Sequence, residues 1–150
     1  MTDHNELAEI RALVDAYAVA LDTHDDELFS SIWTVDAVLT IHKGGKQTGE
    51  YDGVEAMPRV VALLKTSYRE TVHVIGSHRA TIRDDRRIAL GVTSGIAHHI
   101  TPPTGATGPL VDRQLGLRYV DGYRWENGRW LIASRQCHQL WLRSVDVENP

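Results

Sequence analysis

Residues 68–83 read YRETVHVIGSHRATIR, and the spacing of apolar residues changes within them. Before Thr71 apolar side chains recur at intervals of three and four; after it they alternate, and alternation persists nearly to the end of the chain. Upstream, Leu7, Ile10, Leu13, Val14, Tyr17 and Leu21 describe one face of a helix over 6–20, which Asp3 or Asn5 can cap. THDD interrupts that pattern, and Asp25 or Asp26 can cap a short second helix, DELFSSIW (26–33). A first strand is expected over 36–42, DAVLTIH, followed by a turn, KGGKQTG. A third helix is expected over 53–65, with Pro58 tolerated only in its first turn.

Downstream, strands are expected over 72–83 and 88–100, separated by the polar turn DDRR (84–87). In the second of these, Ile88, Leu90, Val92, Ser94, Ile96 and His98 share one side, and Ala89, Gly91, Thr93, Gly95, Ala97 and His99 the other, so His98 goes with the apolar side. The proline- and glycine-rich run 101–112 reads as a loop long enough to cover a site. Two further strands, LGLRYVDGYRWE and RWLIASRQCHQLWL, flank Asn127-Gly128, a strong signal for a tight hairpin. Residues 144–150 are expected to be an unstructured tail. The whole, 1–150, is expected to be one α+β domain with a folded core over 5–143, in which N-terminal helices cover a curved, mostly antiparallel sheet. Such a sheet leaves a cone-shaped cavity at its open end, the natural place for a small hydrophobic ligand.

Composition narrows the function. Twenty acidic against sixteen basic residues, the latter scattered singly or in pairs such as Arg86-Arg87, argue against nucleic acid. No apolar run reaches the length of a membrane span, and the N-terminus has no secretory pattern, so a cytoplasmic protein is expected. A single cysteine, Cys137, forms no intrachain disulfide, and the histidine spacings match no metal-binding motif; no metal is expected. KGGKQTG lacks the ending of a phosphate-binding loop, and no cofactor is expected. Aromatic strands and an unfilled sheet face point to a homo-oligomer, dimer or trimer.

The order of elements, YAVALD (17–22) followed by FSSIWTVDAVL (29–39), ETVH (70–73) and the closing YVDGYRWENGRWLIASR (119–135), resembles the SnoaL-like members of the nuclear-transport-factor-2-like, or ketosteroid-isomerase-like, superfamily. Within it the chain looks most like the branch containing scytalone dehydratase, bile-acid 7α-dehydratase and hexachlorocyclohexane dehydrochlorinase. That resemblance implies an elimination dyad of a helix carboxylate and a strand histidine, with Asp22 and His73 in the matching places. Tyr17 matches a tyrosine of the bile-acid enzyme, where the dehydrochlorinase has lysine. His98, twenty-five residues after His73, resembles the second histidine of scytalone dehydratase, while Leu21 stands where that enzyme has a tyrosine.

Read as chemistry, a histidine whose second ring nitrogen donates to a carboxylate is a general base at neutral pH, worth about 100- to 10,000-fold in rate. A structural histidine in a strand is the alternative for His73. Asp22 is free for this work if Asp25 or Asp26 takes the capping role. Tyr17 and Asp22 are five residues apart, about 140° out of register on an ideal helix, so they share a cavity only from its two edges. The expected function is a cofactor-independent lyase, a dehydratase of a hydrophobic alicyclic, aromatic or polyketide-derived substrate, in which Tyr17 and His98 assist the departing hydroxyl. An isomerase or polyketide cyclase using the same base is one alternative; a non-catalytic binding or assembly domain is another. His42, His78, Arg79, His99 and His138 are read as structural.

Overall fold

The computed structural model describes residues 3–83, 85, 87–103, 105 and 107–150, with the backbone alone for Asp3. Three helices, α1 (Asp3–Thr23), α2 (Asp26–Ser31) and α3 (Pro58–Ser67), pack on six strands, β1 (Trp33–Lys43), β2 (Lys46–Asp52), β3 (Glu70–Ile82), β4 (Ile88–Thr101), β5 (Leu110–Glu126) and β6 (Arg129–Val147). They form one open, curved sheet of order β2-β1-β6-β5-β4-β3, in which only β1 and β6 run parallel. The expected α+β architecture is the one observed.

α1 ends where its backbone groups are satisfied locally. His24 takes a left-handed φ of 55°, and the Asp25 and His24 amides return to the carbonyls of Ala20 (2.9 Å) and Leu21 (3.4 Å). This is the hydrogen-bond pattern of a Schellman motif. Asp25 then caps α2, its carboxylate accepting from the Leu28 amide at 2.8 Å. The short helix thus orients Phe29, which sits with Tyr17, Trp33 and Tyr119 in an aromatic cluster whose ring centroids lie 5.2–6.0 Å apart. Burying each such ring contributes about 1.5–3 kcal/mol, and together they pin α1 and α2 to the sheet.

Several boundaries differ from expectation, for identifiable reasons. The run after β1 contains a full strand, β2, joined through Gly44 and Gly45, whose φ values of 55° and 78° suit a two-residue hairpin turn. β2 is polar and mostly exposed at the sheet edge, so it carries no apolar alternation. The third helix is split: Val54–Ala56 forms a 3-10 turn and α3 starts at Pro58, whose missing amide is harmless at a helix start. Asn5 lies inside α1 rather than capping it, and the alternative cap, Asp3, has its side chain outside the described residues. The connection over 101–112 shrinks to 102–109, because β4 runs to Thr101 and β5 starts at Leu110. Thr104 and Ala106 of that loop, and Asp84 and Arg86 of the DDRR turn, lie outside the described residues. Residues 144–147 are strand rather than tail, Ser144 to Val147 pairing with Arg113 to Leu110.

The orientation of β4 is reversed from the expectation. Ala89, Thr93 and Ala97 are fully buried under the helices, while Ile88, Leu90, Val92 and Ile96 on the other face are 38–50% exposed. The small residues leave room for large neighbours: a Cβ on Gly91 would stand 2.9 Å from the Tyr123 ring. β3 keeps its inner face filled across a bulge between Ile75 and His78, which moves the inward positions from Thr71, His73 and Ile75 to His78, Ala80 and Ile82. β6 does the same between Ile132 and Ser134, so Trp130 and Ile132 point inward but Ser134, Gln136 and His138 do not.

Candidate active site

Asp22 occupies the last turn of α1, freed from capping by Asp25, at a point where the helix packs across β3. Its carboxylate gathers three donors from that strand: the His73 Nδ1–H on Oδ1 at 2.6 Å, the Thr71 hydroxyl on Oδ1 at 3.0 Å and the His73 backbone amide on Oδ2 at 2.8 Å. Because an ionised carboxylate only accepts, Nδ1 carries the ring proton and Nε2 is the nitrogen left for another partner. Partial burial alone would raise the Asp22 carboxyl, but the hydrogen bonds from His73 and Thr71 and the charge His73 can carry outweigh it, so Asp22 titrates below the usual carboxylate value. The His73 side chain is 6% exposed.

His73 lines a cavity of about 660 Å³ between the helices and the concave face of the sheet. Tyr17, Leu21, Leu64, Leu117 and Tyr119 form its inner wall, and the half-exposed Leu63, Leu140, Trp141 and Leu142 its rim. Tyr17 and His73 therefore face one cavity, although Tyr17 is chiefly a locked core ring. It lies under the Arg135 guanidinium at 4.2 Å, and burial is the largest reason its phenol titrates above the ordinary value. Tyr17 can donate a hydrogen bond but is no acid at neutral pH.

His98 is not brought into this cavity. It lies on the outer face of β4, its Nδ1 bonded to Asp112 at 2.7 Å, with Gln114 donating to the same carboxylate oxygen at 3.0 Å. The cavity imidazole is His99, on the small-residue side of β4. It stacks on Tyr68 (centroids 4.5 Å apart) and meets the His73 ring edge-on at 5.6 Å. Both His99 ring nitrogens are buried and have no partner among the described residues. Burial first, and the neighbouring His73 second, push its pKa down to about 4, so it is neutral at physiological pH. The signal that could have found it was its parity with Ala89, Thr93 and Ala97.

The sequence reading also missed a buried ionic group beneath the cavity. Arg135, wholly buried, donates from Nε and Nη2 to the two Asp121 oxygens, each at 2.7 Å. Tyr123 donates to Asp121 at 2.8 Å, and the guanidinium lies between the Tyr17 and Tyr119 rings. This pair fixes the floor on which Tyr17 rests. Among the described residues no group of three or more His, Cys, Asp or Glu side chains is arranged to hold a metal ion, and no helix is long and apolar enough to cross a membrane.

The SnoaL-like domain model matches residues 3–136. No curated protein matches the chain in sequence. Among solved structures, a type 2 hexachlorocyclohexane dehydrochlorinase superposes with a TM-score of 0.82 at 19% identity, covering 99% of both chains. The type 3 enzyme from Novosphingobium barchaimii gives 0.80 at 17% identity over 99% of this chain and 100% of that one. A protein from Novosphingobium aromaticivorans, provisionally described as a scytalone dehydratase, gives 0.75 at 19% identity over 100% and 94%. At these identities the likeness is one of fold.

Proposed function

The chain belongs to the SnoaL-like domain family, and from that premise we propose that it is a cofactor-independent lyase, a dehydratase acting on a hydrophobic alicyclic, aromatic or polyketide-derived substrate. The observation that carries this reading is the 2.6 Å contact between Asp22 and a His73 ring that lines an open cavity of about 660 Å³. A sealed cavity, or a His73 turned away from Asp22, would instead favour a binding or assembly domain.

His73 Nε2 takes a proton from carbon next to an activating carbonyl, and Asp22 holds the tautomer and stabilises the imidazolium that results. The C–O bond to the neighbouring hydroxyl then breaks as the C=C bond forms. The departing oxygen needs a proton, and His99 cannot supply one, because it is uncharged at neutral pH. Tyr17 is too weak an acid. The imidazolium of His73 therefore returns the proton it took, releasing water from the same face, while Tyr17 contributes a neutral hydrogen bond and the His99 ring, its nitrogens buried, shapes the wall beside His73. A neutral donor can also hold an enolate oxygen, which favours double-bond isomerisation or cyclisation as the second reading. The apolar outer face of β4 supports a homo-oligomer, dimer or trimer.

Proton abstraction can be tested before the substrate is known. In D2O, a panel of cyclic ketones and β-hydroxy ketones is followed by NMR for solvent exchange at the activated carbon and for loss of water. His73→Ala is expected to lower exchange by at least about 100-fold, and Asp22→Asn by a smaller factor. Exchange that persists in His73→Ala refutes the base; exchange without loss of water moves the assignment to the isomerase.

A further inference from the structure

The chain as a whole carries more acid than base, yet the cavity wall has the opposite sign. Lys43 and Arg113 line it, and among the described residues no aspartate or glutamate does; Asp22 sits behind His73, committed to it. Arg113 stands directly opposite His99 in the β4–β5 ladder and is exposed at the cavity rim. Neither Arg113 nor Lys43 has an ion pair among the described residues, whereas Arg11, Arg124 and Arg135 each contact a carboxylate. Thr71, His99 and Arg113 form one row across β3, β4 and β5, and His73 lies two residues along β3 from it. A line of nitrogen groups therefore runs from the dyad to the rim.

We infer that Arg113 is a specificity-determining residue that binds a carboxylate on the substrate, so that the ligand is an amphipathic acid with its apolar body in the cavity and its anion at the rim. This rests on the lyase reading and names its substrate class. The planar guanidinium matches a carboxylate in two parallel hydrogen bonds, a pairing that an ammonium does not reproduce. Arg113 and His73 are two strand spacings apart, a separation on the order of 10 Å. The carboxylate is therefore several bonds from the acidic carbon, on the far side of the apolar body. Leu115, the next residue of the same parity on β5, stands in the row of His73 and supplies apolar wall between the two ends, and Leu117 continues that wall beyond His73. Lys43 pairs in register with Gln139 on β6, in another part of the wall, and adds positive potential without reaching the same anion.

The test uses a matched pair of probes, 2-naphthylacetate and 2-naphthylacetamide, titrated calorimetrically into the full chain. The wild-type protein is expected to bind the acid about tenfold more tightly than the amide, a preference that shrinks in high salt. Arg113→Gln is expected to abolish the preference with amide affinity held within about twofold; Arg113→Lys keeps part of it, and Lys43→Gln keeps it within about twofold. The inference is overturned if acid and amide bind the wild type equally, if the preference survives Arg113→Gln, if Lys43→Gln abolishes it, or if neither probe binds at millimolar concentration. His73→Ala, which removes the base, is expected to retain the preference. Anion recognition and proton abstraction therefore fail in different assays.

Discussion

Replacing His99 with phenylalanine keeps a flat ring against Tyr68 and removes one titrating group from the cavity wall. In the folded chain that group has a pKa near 4, held down first by burial and then by His73, against 6.5 for an unperturbed imidazole. The unfolded chain therefore binds a proton between these values that the folded chain refuses. Stability from the neutral ring is complete above about pH 6.5 and is lost as pH falls towards 4. The linkage integral gives a loss of about 2 kcal/mol near pH 5 and about 3 kcal/mol once both states are protonated. Urea unfolding of the wild type and His99→Phe at a series of pH values reads this as a difference, so that carboxylates common to both chains cancel. The wild type should lose stability relative to the variant across that window, with the denaturant slopes unchanged. Parallel curves from pH 7 to 5 would refute the reasoning. They would mean that His99 titrates alike in the folded and unfolded chain, in which case it can carry a proton near neutral pH and the proton economy proposed for His73 is wrong.

Three further outcomes follow from the packing. Asp121→Asn strands the buried Arg135 cation and is expected to cost about 3–5 kcal/mol in urea unfolding, whereas a loss below about 1 kcal/mol would show that water reaches the pair. The Cys137 thiol is pushed up to about 12, chiefly by burial, so a disulfide reagent at mildly alkaline pH should label it far more slowly in the native chain than in urea; equal rates in the two states contradict this placement. Val92→Lys and Ile96→Lys, on the exposed apolar face, should shift light scattering towards a smaller particle, and a parent protein that is monomeric at micromolar concentration removes the oligomer.

Much of the architecture is legible because two different periodicities meet near Thr71, and because Asn127-Gly128, with φ values of 52° and 82°, makes the tight turn its sequence calls for. That Asp22 is uncommitted is legible too, because Asp25 can cap α2 and does, whereas its pairing with His73 on β3 is what the family resemblance implies. β2 escapes notice because an edge strand with neither face buried shows no alternation. The Arg135–Asp121 pair escapes it too, since a charged residue between Ser134 and Gln136 reads as surface until the bulge beyond Ile132 turns it inward. Bulges of this kind change which residues share a face without marking the apolar pattern.

The misplaced histidine follows from a more general fact about strands whose two faces are both without charge. Alternation identifies two faces of β4, but apolar character chooses the inner one only when the outer one is polar. Here the aliphatic side, Ile88 through Ile96, faces out, and the inner side is built from Ala89, Gly91, Thr93, Gly95 and Ala97. On the concave side of a bent sheet the side chains converge. β5 projects Tyr119 and Tyr123 into that space and α1 projects Tyr17, so the strand beside β5 must be small. His99 breaks the run of small residues where the aromatic filling stops and the cavity begins. Its ring forms part of the cavity wall there, stacked on Tyr68, with both nitrogens buried and without a partner among the described residues. In this strand, the small side is the inner side, and the first large polar residue on it marks the wall of the site.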